Sequence, residues 1–320
     1  MADDLIAGVD IGGTKIAVAV ATPGGEPIAR GSFPTDARRP PDEHMAHAIA
    51  ILEGLAEKHC GRLRAVGVGC AGPLDFELGV VISPPNMPRN WRQFPLRSFV
   101  KSKLDLPVAF DNDANAAALG EHSYGAGRGY SDLVYLTIST GIGVGIIANN
   151  QLVHRLGEGG HVTVQPGGDL CGCGARGCME GLCSGTGIAR RAQDYLSAGG
   201  SSKLCESLGH AGQVTARTVA DAVREHDELA CAVWRETVSL LAIGIGSIIA
   251  LLAPQAVILG GGVAAGAGGL LLRPLRDELN ERVRILRMDE VEVLQAGLGA
   301  DSGIYGALVL GTHAFQTVRT

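Results

Sequence analysis

Between Glu158 and Glu180 the chain reads EGGHVTVQPGGDLCGCGARGCME, which places His161, Cys171, Cys173 and Cys178 in the spacing H-x9-C-x-C-x4-C. One imidazole and three thiols in a short Gly-rich loop can close a tetrahedron around zinc. Four protein ligands leave no open coordination position, so such a zinc is structural rather than catalytic. A metal-stapled loop is rigid, and the flanking carboxylates of Glu158 and Glu180 could then be offered to a ligand. Free thiols or disulfide partners are the competing reading. The chain has 8 Cys, and Cys60, Cys70, Cys183, Cys205 and Cys231 are scattered singly. Met1-Ala-Asp-Asp runs straight into an apolar stretch with no basic leader. The expected compartment is therefore the reducing cytoplasm, where disulfides are disfavoured and zinc is favoured.

A second kind of chemistry sits in three glycine-rich turns. The first, Asp10-Ile11-Gly12-Gly13-Thr14-Lys15, follows an apolar run. Consecutive backbone N–H groups and the Thr14 hydroxyl suit a phosphate, and Asp10 can hold Mg2+ directly or through water. A plain hairpin turn would look the same. Ser139-Thr140-Gly141-Ile142-Gly143 repeats the pattern, and two such turns favour a nucleotide site more than either alone. Gly260-Gly261-Gly262 is a third place where backbone can approach a base or ribose, or simply turn tightly from strand to helix. No G-x-x-x-x-G-K-[ST] occurs, and no G-x-G-x-x-G follows a strand in the manner of a dinucleotide site. Asp113, in Asp-Asn-Asp-Ala-Asn after a strand, is the candidate general base, with Asn112 beside it to bind the same substrate. The same residues also read as a turn and helix cap.

The elements that must position these groups follow from periodicity. Leu5–Asp10 and Ile16–Val20 are apolar runs joined by a Gly-Gly turn, a β-hairpin. A third strand is expected near Pro27–Phe33. A helix is expected over Asp42–His59, with Met45, Ile49, Leu52 and Ala56 on one face and Asp42 as its cap. Strands follow at Val66–Cys70 and Pro107–Phe110, and a helix starts at Asn115. Leu133–Ser139 and Val144–Ala148 repeat the strand–turn–strand layout. A duplicated α/β fold with a cleft between its halves is the inference. Helices are expected at about 184–198, 217–229, 231–252, 267–283 and from Ser302, with a strand at Ala256–Leu259. Thr237–Ala253 is uncharged but short for a span, and reads as a buried core helix.

Bulk properties exclude several classes. With 320 residues, 46% hydrophobic and 19% charged, the chain suits two domains of ordinary globular composition. A net charge of −6 argues against a nucleic-acid footprint. Aromatics at 4% leave few stacking platforms for bases or long glycans.

In order along the chain, D-I-G-G-T-K, N-D-A-N-A-A-A-L-G-E from Asn112 to Glu121, E-x-G-H at 158–161 and C-x-C-G-x-x-G-C-x-E from Cys171 to Glu180 closely resemble the motifs of the ROK family of sugar kinases and repressors. The resemblance spans nearly the whole chain. It implies the actin-like ATPase (ribonuclease H-like, hexokinase) fold, with two α/β lobes closing on ATP and a hexose. The lobes are expected at 1–115 and 116–301, the second carrying the zinc loop 158–180, and a C-terminal helix at about 302–320 packing back on the first. It implies that Asp113 deprotonates the 6-hydroxyl of the sugar. Asn112, Glu158, His161 and Glu180 would bind the ring hydroxyls, with Gly72 and Asn86 also facing the sugar. Asp10, Gly12, Gly13, Thr14, Lys15, Thr140, Gly141 and Gly143 would surround the phosphates and Mg2+. Gly261 and Gly262 would lie against adenosine. His161, Cys171, Cys173 and Cys178 would bind zinc, with one ring nitrogen of His161 on the metal and the other turned to the sugar.

The expected function is thus an ATP-dependent hexose kinase of cytoplasmic sugar metabolism, acting on small molecules and not on nucleic acid or membrane. A homodimer is a family expectation. Glucose is the favoured substrate, and an N-acetylglucosamine or N-acetylmannosamine kinase is the alternative. Ser83-Pro-Pro-Asn-Met-Pro-Arg-Asn-Trp91 departs from the N-L-P-x-W of many glucokinases by Met87 and one extra residue before Trp91. Polyphosphate as donor is disfavoured by the acidic balance and the lack of a basic run. A repressor needs an N-terminal helix-turn-helix, and the first strand starts at Leu5. A non-catalytic sugar sensor is the remaining reading from another class, opposed by the presence of Asp113 and both phosphate turns.

Overall fold

The structure is a computed structural model describing residues 3–83, 87–154, 158–198, 202, 204 and 214–319. Its chain divides into two compact units: 1–131 with 145–156 and 300–320, and 132–144 with 157–299. The chain forms two five-stranded sheets.

In the first unit β1 (Asp3–Ile11), β2 (Lys15–Ala21), β3 (Pro27–Pro34), β4 (Gly61–Cys70) and β7 (Val108–Asn112) lie in the order β3-β2-β1-β4-β7. The β1–β2 and β2–β3 pairs are antiparallel, while β1–β4 and β4–β7 are parallel. The intervening β5 (Leu74–Asp75) and β6 (Val80–Val81) form a separate two-stranded ribbon. Central strands are buried on both faces and so read as continuous apolar runs. By contrast, the edge strand β3 alternates half-buried and exposed residues along its length.

Period-two alternation then places the chemistry. Leu5, Ala7, Val9 and Ile11 join Val66, Val68, Cys70 and Phe110 in one core with Met45 and Leu52 of helix α1 (Pro41–Lys58). The opposite face of the same strands carries Ile6, Gly8, Asp10, Gly67, Gly69 and Asp111. It is covered by α3 (Asp113–Tyr124) and by the C-terminal helix, residues Ser302–Arg319. Small residues there let the helices come close. A Cβ on Gly67 would collide with the Ala307 carbonyl, and one on Gly69 would press on Ala116. Helix α1 begins two residues earlier than a cap at Asp42 would set it. Pro40 is the cap and Pro41 the first helical residue, where its fixed φ and missing N–H cost nothing. Asp42 therefore sits in the first turn, where its charge faces the helix dipole. Helix α2 (Leu96–Leu104) closes the unit's edge beside β7.

The second sheet repeats the first: β8 (Leu133–Ile138), β9 (Ile142–Ala148), β10 (Gln151–Leu152), β11 (Ala256–Gly260) and β12 (Glu292–Gln295) run in the order β10-β9-β8-β11-β12, with β10 and β9 from Gly145 onward counted in the first unit. Here too the last two pairings, β8–β11 and β11–β12, are parallel. The duplicated layout read from the two Gly-Thr turns is therefore a duplicated sheet. Around it lie α4 (Met179–Cys183), α5 (Gly185–Ser197), α6 (Ala216–Arg224), α7 (Glu228–Leu252), α8 (Gly261–Ala267) and α9 (Gly269–Arg282), while the C-terminal helix, α10 (Ser302–Arg319), belongs to the first unit. The apolar α7 packs against α4, α5, α6 and α9 and buries Trp234, Leu241, Ile245 and Ile249. By length and composition alone it could span a membrane. Those packed faces instead account for its composition.

Candidate functional site

The first unit holds the acidic part. Asp10 is the penultimate residue of β1, and the Gly12–Lys15 turn closes with the Gly12 N–H on the Lys15 carbonyl at 3.0 Å. Thr35 braces the turn: its hydroxyl donates to the Gly12 carbonyl at 2.8 Å and its N–H to Thr14. Thr14 and Lys15 are exposed at the tip. Burial, the nearby Asp113 and Asp301 push the Asp10 carboxyl up to about 7, against the pull of Lys15. Gly303 at the start of α10 makes room for this group, since a Cβ there would lie 2.6 Å from its oxygen. Gly72, just beyond β4, is half-buried, and Asn86 lies outside the described residues.

Asn112 caps α3, accepting the Asn115 N–H at 2.6 Å, and Asp113 is the first residue of that helix. Cap and candidate base are thus adjacent residues: Asn112 meets the cap reading, and that does not exclude the chemical reading of Asp113. Behind them is a group the sequence reading passed over. The carboxylate of Asp111, 1% exposed, accepts the Asn112 N–H and the Asn115 side-chain amide, and its second oxygen meets His154 Nδ1 at 2.8 Å.

The second unit holds the metal-ligand set and the second turn. Nδ1 of His161 and the sulfurs of Cys171, Cys173 and Cys178 all lie within 4.8 Å of one another. Cys173 and Cys178 are 3.7 Å apart, as are Cys171 and His161 Nδ1. A tetrahedron with metal–sulfur bonds of about 2.3 Å has edges of about 3.8 Å, so the donors fit zinc. Burial pushes the Cys178 thiol up to about 12, and a cation is what would stabilise thiolates so crowded. The loop is shaped by backbone bonds from Cys171 to Ala175 and from Gly177 to Asp169. Gly177, at φ 78°, passes so close to the Gln165 carbonyl that no side chain fits. The other ring nitrogen of His161 faces the exposed Glu158 at 3.7 Å.

Glu180 turns inward instead. Its carboxylate accepts the Ile142 N–H at 2.9 Å, at the start of β9. Thr186 donates to the Thr140 carbonyl and Gly185 to Ser139, so the turn at 139–142 is tied to α4 and α5 at three points. Arg190, also missed in the sequence, joins α5 to the metal loop through Asp169 and to α4 through the Gly181 carbonyl. Thr140, Gly185, Arg190, Gly262 and Trp234 line a cavity of about 990 Å3. That volume and mixed lining suit a nucleotide-sized ligand. Gly261, at φ 84°, tucks against the Ile138 carbonyl, while Gly262 faces open space. Gly141 and Gly143 are half-buried beside Ile142.

Comparison with known proteins decides the kinship. The family model described as "ROK family" matches residues 6–314. The chain belongs to the ROK family. Among ROK proteins it is 34% identical over 317 residues to a glucokinase of Halalkalibacterium halodurans, covering 96% of this chain and 94% of that one. It superposes on the ROK hexokinase of Thermus thermophilus with a TM-score of 0.83, at 32% identity and 98% and 99% coverage. It also matches the ROK glucokinase of Streptomyces griseus, solved with glucose and AMPPNP, at a TM-score of 0.77, 34% identity and 97% and 99% coverage. The fold is the actin-like ATPase fold of these ROK hexokinases.

Proposed function

We propose that the chain is an ATP-dependent hexose kinase that transfers the γ-phosphate to the 6-hydroxyl of its sugar, with glucose the favoured substrate. The observation that carries this reading is its 34% identity, across 97% of its length, to a glucokinase solved with glucose and an ATP analogue. In this reading Asp113 takes the proton of the 6-hydroxyl as that oxygen attacks the γ-phosphorus and ADP departs. Asn112, Gly72, Asn86, Glu158, His161 and Glu180 orient the sugar. Backbone N–H groups of the turns at 12–15 and 140–143 face the phosphates, and Gly261 and Gly262 flank the adenosine. Asp10 would hold Mg2+, which neutralises charge on the phosphates when bound. His161, Cys171, Cys173 and Cys178 would hold a zinc that keeps the loop from Glu158 to Glu180 rigid. A homodimer is part of the same proposal.

The test is ADP release over a panel of hexoses with ATP. Turnover with glucose and little with N-acetylglucosamine or N-acetylmannosamine is expected. Turnover only with an N-acetylated sugar would replace glucose, and none with any hexose would overturn the kinase reading.

A further inference from the structure

The buried Asp111 takes no part in the chemistry just described, yet its carboxylate holds three hydrogen bonds beside Asp113. One oxygen accepts the Asn112 N–H at 2.8 Å and the Asn115 amide at 2.7 Å. Both donors lie in its own segment. The other oxygen meets His154 Nδ1 at 2.8 Å, from a residue 43 positions away that follows β10. A carboxylate can only accept here, so Nδ1 is the protonated nitrogen of His154. With the Asn115 N–H on Asn112, residues 111, 112 and 115 form one closed set of bonds at the foot of α3. Asp113 stands within that span.

The hairpin of β9 and β10 is built to reach this point. It packs on α3, and Gly145 permits the approach, since a Cβ there would stand 2.6 Å from the Ala114 carbonyl and from the Ala118 side chain. Burial of the two partners is unequal: the side chain of Asp111 is 1% exposed and that of His154 is 64% exposed. His154 therefore fills no core space. What it supplies is a directed donor to a buried charge. Without that donor, the natural relief for Asp111 is to rotate toward water, which breaks its bonds to Asn112 and Asn115.

We propose that His154 is a positioning residue for phosphoryl transfer. Through Asp111 it holds the first turn of α3, and so the Asp113 carboxylate, in the geometry for accepting the sugar proton. This rests on the reading of Asp113 as the base. Misplacing a reacting group slightly is costly to the rate, so His154→Ala should lower kcat about 10–100-fold. KM for hexose and for ATP should stay close to wild type, while the thermal midpoint falls modestly because a buried acceptor loses a donor.

The experiment is a double-mutant cycle of His154→Ala with Asp113→Asn, with His154→Asn as a third variant whose side-chain amide can replace Nδ1–H. Support is a kcat loss for His154→Ala, substantial recovery with His154→Asn, and no further loss when His154→Ala is added to Asp113→Asn. Wild-type kcat for His154→Ala beside a crippled Asp113→Asn overturns the proposal and leaves the base assignment standing. Equal losses from His154→Ala in both backgrounds, or a loss confined to KM or the thermal midpoint, also overturn it. Near-wild-type turnover of Asp113→Asn removes the base assignment and the proposal with it.

Discussion

The carboxylate of Glu180 accepts the backbone N–H of Ile142 at 2.9 Å, so the loop bearing the metal ligands and the second glycine-threonine turn are joined by one side chain. If Glu180 also binds the sugar, the two substrates meet through it. A hydrogen bond to a charged acceptor is worth about 1.5–3 kcal/mol, or roughly 10–100-fold in affinity. Glu180→Ala should weaken hexose binding and also weaken AMPPNP binding measured without sugar. Glu180→Gln keeps an acceptor for Ile142, so it should spare AMPPNP while still harming the sugar. Titration calorimetry with each ligand alone checks this, and unchanged AMPPNP affinity in Glu180→Ala would show that the bond is idle.

Asp113→Asn keeps the size of the side chain and the first turn of α3 but removes the proton acceptor. A general base contributes about 10²–10⁴-fold, so kcat should fall at least about 10²-fold with a modest change in hexose KM. Steady-state ADP release at saturating hexose measures it. Turnover near wild type would move the base elsewhere.

Much of this was legible from local pattern. The apolar runs around the two Gly-Thr turns gave the strand–turn–strand units, because alternation and turn chemistry are local. The four candidate metal ligands were legible as a set because they fall in one loop. Asp111 and His154 were not, since nothing in the sequence pairs residues 43 apart, and Asp111 looked like part of a polar turn. Gly303 was equally silent: its need to be glycine comes from Asp10, on a strand that meets it only after the whole chain has folded. Arg190 carries no local signal either, since its tie to Asp169 is set by the path of the metal loop.

Cys173 is the exposed member of the metal set, while Cys171 and Cys178 are buried. Cys173→Ser should therefore fold but lose a strong thiolate ligand. Metal analysis of the purified variant should find zinc well below the wild-type stoichiometry of about one per chain. The hexose KM should rise at least about tenfold as His161 and the loop lose their anchor. A full zinc complement in Cys173→Ser would mean that the ligand set is wrong.

Asp10 gives a pH dependence whose sign follows from its surroundings. Its carboxyl is raised to about 7 from an ordinary 3.8, by burial first and by Asp113 next. Between those values the folded protein binds the proton more tightly than the unfolded chain. The ligand-free protein therefore keeps this stabilisation at low pH and loses it as pH rises from about 4 through about 7. Above that, an ionised Asp10 is a cost, on the order of 2 kcal/mol after discounting for partial solvent access. Asp10→Asn carries no such charge. It should raise the thermal midpoint of the ligand-free protein over wild type at pH 8 and change it little at pH 4, while abolishing kinase activity if Asp10 holds Mg2+. Asp113→Asn removes one of the charges that raise Asp10, so it should narrow the wild-type loss between pH 4 and 8. Scanning fluorimetry at both pH values decides it: a wild-type midpoint no lower, relative to Asp10→Asn, at pH 8 than at pH 4 would mean that the Asp10 carboxyl is not raised.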